Sequence, residues 1–310
     1  MAAKPPSLIA VVGPTAVGKT RLAVELCQRF GGEVINADSR QAYRGMDIGT
    51  AKPTPAERER APHHLIDMVN PNEEYNVALF QQQADQSIRD VYHRGHVPLL
   101  VGGTGHYVWA LLRGFRLPQV QPNLRLRHEL QALAMNDGGE ALIHQRLASI
   151  DPVAARRIDP RNVRRVIRAI EVTQAVGLPF SQAGTTVPPA YRTLMLGVTA
   201  PRPEVYRRIN ERVTRMIQAG WVTEVHGLLQ RGYNPALPSL SGLGYRTIVA
   251  HIRGELSLGA AMTLVQRYTR ILARRQYTWF KPANSEILWL DTTIPGFQDR
   301  ARKAVAEFLR

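Results

Sequence analysis

Cysteine is all but missing from this sequence: Cys27 stands alone among 310 residues. One thiol excludes a disulfide framework and any zinc site built from several cysteines. No stretch of about twenty apolar residues is present, so no transmembrane helix is expected. The opening, MAAKPPSLIAVVG, runs straight into an apolar segment and leaves no length for a cleaved leader. A reducing, cytoplasmic setting and a monomer are therefore expected. Internal repeats and low-complexity tracts are absent too. Acids are scarce, 25 against 40 lysines and arginines, for a formal charge of +15. In an otherwise ordinary composition (44% hydrophobic, 21% charged) that surplus favours a polyanion, meaning nucleic acid or a membrane surface.

What is present starts with GPTAVGKT, residues 13–20. Two glycines flanking four residues, then lysine and a hydroxyl, form the phosphate-loop pattern. Gly13, Pro14, Thr15, Ala16, Val17 and Gly18 would turn backbone N–H groups onto a phosphate. Lys19 adds a point charge, and Thr20 suits a Mg²⁺ ion at the positive end of the next helix. SLIAVV before the loop has strand length, and KTRLAVELCQRF after it has helical spacing at Leu22, Leu26 and Phe30, with Cys27 inside. Strand, glycine loop and helix stand in the order that the pattern requires.

Further strand-length runs occur at EVINA (33–37), VPLLV (97–101), TLMLGV (193–198) and EILWL (286–290). Helical patterns lie between them, such as Val77, Phe80, Ala84, Ile88 and Val91, closed by Gly95. This alternation predicts an α/β fold, a phosphate-loop parallel sheet covered by helices on both faces. From 118 to 189 only helical patterning remains, bounded by prolines, with Asp151 and Pro152 opening one helix. An all-helical insertion over 118–189 is expected, within a core of 1–117 plus 190–310.

The positive charge is clustered. Residues 113–128 hold four arginines and no acid, and residues 154–170 hold six against Asp159 alone. Residues 267–281 hold five cations, no acid and four aromatics. Cations interleaved with aromatics suit a phosphate backbone and stacked bases.

A nucleotide-hydrolysing phosphate-loop protein carries an acid after a later apolar strand. Here VPLLV runs into GGTGHY, with none. The acid is elsewhere, at Asp38 just past the second strand, on the edge that faces the phosphate loop in a parallel sheet. Asp38 is open to three readings: a turn residue, an outer Mg²⁺ ligand, or the acceptor of a proton from an attacking nucleophile. An ATP-dependent small-molecule or nucleoside kinase is the alternative that shares this loop.

GPTAVGKT, INADSRQAYRGMDIGTAKP, HHLID, VPLLVGGTGHY, RRVIRAIEV, GLGYR and RRQYTWFK follow one another over nearly the whole chain. In this order they resemble the bacterial tRNA dimethylallyltransferases, also called tRNA isopentenyltransferases. The resemblance implies transfer of a dimethylallyl group from dimethylallyl diphosphate to N6 of the adenosine 3′ to the anticodon. It implies that the loop holds the isoprenoid diphosphate with Mg²⁺ rather than ATP. Asp38 would accept the proton of the amino group, with Thr104 near the reacting atoms and Arg208 on the diphosphate. Ser39, Arg40 and Gln41 would meet the flipped base or its neighbours. tRNA contacts are implied at Arg164, Arg165, Val166, Ile167 and Arg168, at Gly244, Tyr245 and Arg246, and at Arg274, Arg275 and Gln276. This chain has Arg164 where the family usually has Gln, which implies a phosphate contact there. His63 and His64 resemble a family turn of structural role.

Overall fold

The computed structural model describes residues 5–116, 118, 120–188, 191–242 and 244–310. The expected domain boundaries fall beside Leu117, Pro189 and Ala190, and the GLGYR motif includes Leu243; these four lie outside the described residues. The chain divides into two compact units, Met1–Leu112 with Pro189–Arg310, and Arg113–Pro188.

The first unit begins with β1 (Ser7–Val12), α1 (Lys19–Phe30), β2 (Gly32–Asn36), α2 (Pro55–Arg60), β3 (His63–His64), α3 (Val77–His93), β4 (Val97–Gly102) and α4 (Gly105–Arg113). The second unit holds β5 (Phe115–Arg116), α5 (Leu124–Ala134), α6 (Gly139–Ile150), α7 (Pro152–Arg157), α8 (Val163–Val176), α9 (Phe180–Ala183) and β6 (Thr185–Thr186). The chain returns to the first unit with β7 (Arg192–Thr199), α10 (Arg202–Gln218), α11 (Trp221–Gln230), α12 (Tyr245–Ile252), α13 (Leu258–Trp279), β8 (Ile287–Asp291) and α14 (Phe297–Leu309).

The six core strands are parallel, in the order β3-β2-β4-β1-β7-β8. β1 shows why the expected two-faced sheet forms. Leu8, Ala10 and Val12 enter one apolar cluster with Phe80 and Ile88 of α3, while Ile9 and Val11 enter another with Leu22 and Leu26 of α1. A strand alternates its side chains, so only an apolar run supplies both faces. Cys27 is buried on the α1 side, and burial pushes its thiol up to about 12. Asn76 caps α3 by accepting from the amides of Ala78 and Leu79. The edge strand β3 holds the two histidines as structure: His63 Nδ1 lies 2.7 Å from the Ala61 carbonyl and His64 Nε2 2.6 Å from Glu33. Among the described residues, no helix is long and apolar enough to cross a membrane.

The second unit packs α5 to α8 around Leu130, Ile143, Leu147, Val166 and Ile170. It is not wholly helical, because β5 and β6 pair antiparallel, Phe115 opposite Thr186 and Arg116 opposite Thr185. Helical spacing could not reveal a two-residue pair. Asp151 caps α7 through the Ala154 amide and also accepts from the Ser181 amide and hydroxyl. Glu171, 2% exposed, accepts two hydrogen bonds from Arg127, one from Arg168 at 2.6 Å and one from the Asn123 amide at 2.7 Å. Burial alone would raise its pKa; these donors outweigh burial and hold it below the ordinary value. Asp151 is lowered in the same way, burial being outweighed by its backbone and Ser181 donors.

A folded-state pKa that is depressed contributes stability above the unfolded value, and that contribution is lost as pH falls through the folded value. The protein should therefore lose stability as pH falls below about 4, and Glu171→Gln should be less stable at neutral pH with a shallower acid loss. Arg168→Ala should cost roughly 1.5–3 kcal/mol, whereas exposed Arg164→Ala should stay within about 0.5 kcal/mol. Thermal melts between pH 3 and 7 measure both.

Candidate active site

The phosphate loop leaves β1 through Gly13, whose φ is +136° and where a Cβ would lie 2.2 Å from the Val198 carbonyl oxygen of β7. Gly18 caps α1 in the left-handed region, and Ala16 shares that strained sign with φ +65°. Lys19 Nζ donates to the Pro14 carbonyl at 2.6 Å. Arg212 of α10 donates to the Thr15 hydroxyl at 3.3 Å. Burial pushes the Lys19 ammonium down to about 8, helped by the Arg212 charge and opposed by Asp38. Arg212 is lowered chiefly by burial, while Asp38 pulls it back up. Two cations and one carboxylate thus act on one another across the carboxyl edge of the sheet, where ligands of open parallel sheets bind.

Asp38 follows β2. Its amide donates to Asn36 Oδ1 at 3.1 Å, and its Oδ1 accepts from the Arg40 amide at 2.9 Å. The turn reading is therefore correct for one carboxylate oxygen. The other has no hydrogen-bond partner among the described residues. Thr104, at the start of α4, donates its amide to Ala37, and its hydroxyl accepts from the Ser39 amide at 3.1 Å. β4 ends in glycines because the chain is crowded there. A Cβ at Gly102 would lie 2.3 Å from the Ala37 oxygen, and one at Gly103 2.2 Å from Gln276 Nε2. The expected Asp38, Ser39 and Thr104 are thus brought together.

Several other expected site residues are buried or hydrogen-bonded within the fold. Gln276, 7% exposed, accepts from the Thr15 amide at 2.7 Å and donates to the Gly103 carbonyl at 3.0 Å. It joins the phosphate loop to the end of β4, has no surface for tRNA, and removes the Thr15 amide from those free to meet an anion. Tyr245 is buried with its hydroxyl on Glu224, and Gly244 is pressed against Trp221. Val166 and Ile167 lie in the core of the helical unit, and Arg168 is spent on Glu171 and the Val120 carbonyl. Arg40 is pinned to the carbonyls of Pro238 and Ser239, and Gln41 to those of Thr50 and Ala51.

Exposed instead are Arg164, Arg165, Arg246, Arg274 and Arg275, none with a side-chain ion pair among the described residues. Arg208 bonds Glu204 and Thr292, and it lines a 140 Å³ cavity with Val17, Gly18 and Arg21. The guanidinium on the Thr15 hydroxyl is that of Arg212, one turn further along α10. Its sequence signal was spacing: Val205, Ile209 and Val213 form the buried stripe, and Arg208 and Arg212 flank it four residues apart.

A parallel sheet with a phosphate loop after its central strand, and a carboxylate facing the loop's cations, defines a phosphate-loop α/β protein built for group transfer. The comparisons specify which. The family model for IPP transferase matches residues 41–283, and that for isopentenyl transferase matches residues 6–68. A tRNA dimethylallyltransferase of Roseiflexus castenholzii is 49% identical over 300 residues, 97% of each chain. That of Desulforudis audaxviator is 47% identical over 93% of this chain and 92% of its own. The crystal structure of the tRNA isopentenylpyrophosphate transferase of Bacillus halodurans superposes with a TM-score of 0.72 at 40% identity, covering 98% and 96% of the chains. A eukaryotic dimethylallyltransferase acting on tRNA gives 0.81 at 27% identity, covering 97% of this chain and 78% of its own. The chain belongs to the tRNA dimethylallyltransferase (isopentenyltransferase) family.

The lowered Lys19 value generates a test. A bound polyanion favours the charged ammonium, so affinity for inorganic diphosphate should fall as pH rises through about 8. Lys19→Ala should bind more weakly and show only the ligand's own titration. Calorimetric binding profiles of the two proteins, compared from pH 6.5 to 9.5, measure the difference.

Proposed function

We propose that this protein transfers a dimethylallyl group from dimethylallyl diphosphate to N6 of the adenosine 3′-adjacent to the anticodon in tRNA, releasing diphosphate. The observation that carries this reading is the pairing of Asp38, with one carboxylate oxygen free, against Lys19 and Arg212, while β4 ends in Gly102 and Gly103 rather than an acid. A phosphate loop without the nucleotide-type acid, facing a carboxylate on the nucleophile's side, suits displacement of diphosphate better than phosphoryl transfer to a small molecule.

The reaction breaks the bond between the isoprenoid C1 and the diphosphate oxygen, and the electron pair leaves with the oxygen. The free amides of the loop, Lys19 and Arg212 stabilise the charge that develops there. The adenine amine is a poor nucleophile because its lone pair is delocalised into the ring. As the N6–C1 bond forms, the free oxygen of Asp38 takes the N6 proton, while the Arg40 amide holds the other oxygen in place. The Thr104 hydroxyl, which accepts from Ser39, keeps its own hydrogen to donate at the reacting centre. A base inside a stacked anticodon loop cannot reach this edge, so the adenosine leaves the stack.

Mg²⁺ fits the residues present. The Thr20 hydroxyl, in the first turn of α1, has no hydrogen-bond partner among the described residues, and hard oxygen donors suit this ion. No group of three or more His, Cys, Asp or Glu among the described residues could hold a metal. Thr20 and the phosphate oxygens of the substrate would therefore share it. When bound, the ion neutralises charge on the diphosphate.

The helical unit supplies Arg164 and Arg165, and the core supplies Arg246, Arg274 and Arg275, as exposed phosphate contacts for the anticodon arm. The single, free and buried Cys27 suits a protein working in the reducing cytoplasm.

Incubation with dimethylallyl diphosphate and unmodified tRNA, followed by nucleoside analysis, should yield isopentenyladenosine and free diphosphate. Robust ATP turnover with no prenylated nucleoside would favour a kinase instead. Asp38→Asn should lower kcat by about 10² to 10⁴ while tRNA affinity changes little. Arg164→Ala and Arg165→Ala should each reduce the log–log salt slope of tRNA binding by about one unit. An unchanged slope in the double variant would return both side chains to ordinary surface roles.

A further inference from the structure

We infer that Glu224 is a positioning residue for the transfer: its carboxylate fixes the 47–49 turn, and through Gln41 that turn fixes Asp38. This inference rests on the reading of Asp38 as proton acceptor.

Glu224 stands in the first turn of α11. Its Oε2 accepts from the amides of Asp47 at 2.7 Å and Ile48 at 2.6 Å, and its Oε1 accepts from the Gly49 amide at 3.3 Å and the Tyr245 hydroxyl at 2.7 Å. Three consecutive backbone N–H groups converging on one point make an anion nest. Here the anion is a side chain of the protein itself. The packing around it leaves no slack, since a Cβ at Gly49 would lie 2.1 Å from Trp221 Nε1. On the other side, buried Lys52 donates to the Tyr43 carbonyl at 2.6 Å, to Asp47 at 2.6 Å and to Asp67 at 2.5 Å.

The turn then reaches the reaction centre by hydrogen bonds. Gln41 Nε2 donates to the carbonyls of Thr50 at 3.2 Å and Ala51 at 3.1 Å, and the Gln41 amide donates to the Asp38 carbonyl at 3.3 Å. Asp38 and Gln41 are thus the two ends of one short turn, and the 50–51 backbone anchors its far end. The MDIGTAKP segment acts as a bracket for the Asp38 turn and has no need to touch either substrate. A carboxylate suits the Glu224 position because it accepts four donors with no hydrogen of its own. A glutamine there would turn an NH₂ group towards backbone N–H groups.

Displacement of a reacting group by about 1 Å costs about 10²-fold in rate. Glu224→Gln and Gln41→Ala should therefore lower the single-turnover rate by about 10 to 10²-fold, with KM for dimethylallyl diphosphate unchanged, because the phosphate loop is held separately by Gln276. Gln41→Ala cuts the same link without removing a carboxylate that accepts four hydrogen bonds, so it serves if Glu224→Gln does not fold. The deciding measurement is a double-mutant cycle with Asp38→Asn. If Glu224 acts through Asp38, adding Glu224→Gln or Gln41→Ala to Asp38→Asn should cause little further loss. Fully additive losses, or a normal rate in a folded single variant, overturn the inference while leaving the function intact. A normal rate in Asp38→Asn alone instead overturns the proton-acceptor reading on which the inference rests.

Discussion

At Gly13 the chain passes the Val198 carbonyl so closely that a Cβ would lie 2.2 Å from its oxygen, and φ of +136° lets the backbone turn there. The position of the phosphate loop depends on this contact. It sets the loop against β7, the strand that leads into α10 and so to Arg212. From the other side Gln276 holds the Thr15 amide and the Gly103 carbonyl together. The loop is thus fixed to both neighbours of β1, to β7 through Gly13 and to the end of β4 through Gln276. A loop that must aim several N–H dipoles at developing charge gains from being set in advance, because nothing then reorganises during the reaction.

The same edge concentrates charge at a cost. Lys19 and Arg212 repel one another, and both are partly withdrawn from water, so each ion is less favoured than in solvent. Asp38 offsets part of that cost. A polyanion between them would relieve the repulsion further. With its Oδ1 on the Arg40 amide, Asp38 is both a counter-charge to these cations and a fixed member of its turn. The turn uses one carboxylate oxygen and leaves the other free, so the turn and the proposed role as proton acceptor are compatible.

The sheet was legible in the sequence because parallel strands covered on both faces are apolar runs, and β1, β2, β4, β7 and β8 all read as such runs. β3 was not, since two histidines carry no strand pattern; its place is fixed by pairing with Val34 and Ile35. The phosphate loop and Asp38 were legible because their spacing to strand ends is local. Among the residues expected to meet tRNA, the buried ones were not legible. Gln276 and Tyr245 are polar, but their partners, Thr15, Gly103 and Glu224, lie far away in sequence and only the fold joins them. Arg212 carries no motif of its own, unlike Arg208 one helical turn earlier, and only the fold brings it to Thr15.

A formal charge of +15 invites the view that every arginine cluster is an RNA surface, and α8 shows how that view overcounts. The helix carries Arg164, Arg165 and Arg168 within five residues, but the buried stripe through Val166, Ile167 and Ile170 sorts them by direction. Arg168 turns to Glu171 beside Arg127, where the two guanidiniums and the Asn123 amide offset the cost of burying that carboxylate. Arg164 and Arg165 remain outside. An arginine paired with a buried acid contributes to the fold of the helical unit, whereas an exposed and unpaired one would release a counterion for each phosphate it met. Both kinds look the same in composition, and within one cluster only the helical period and the position of a buried acid separate them.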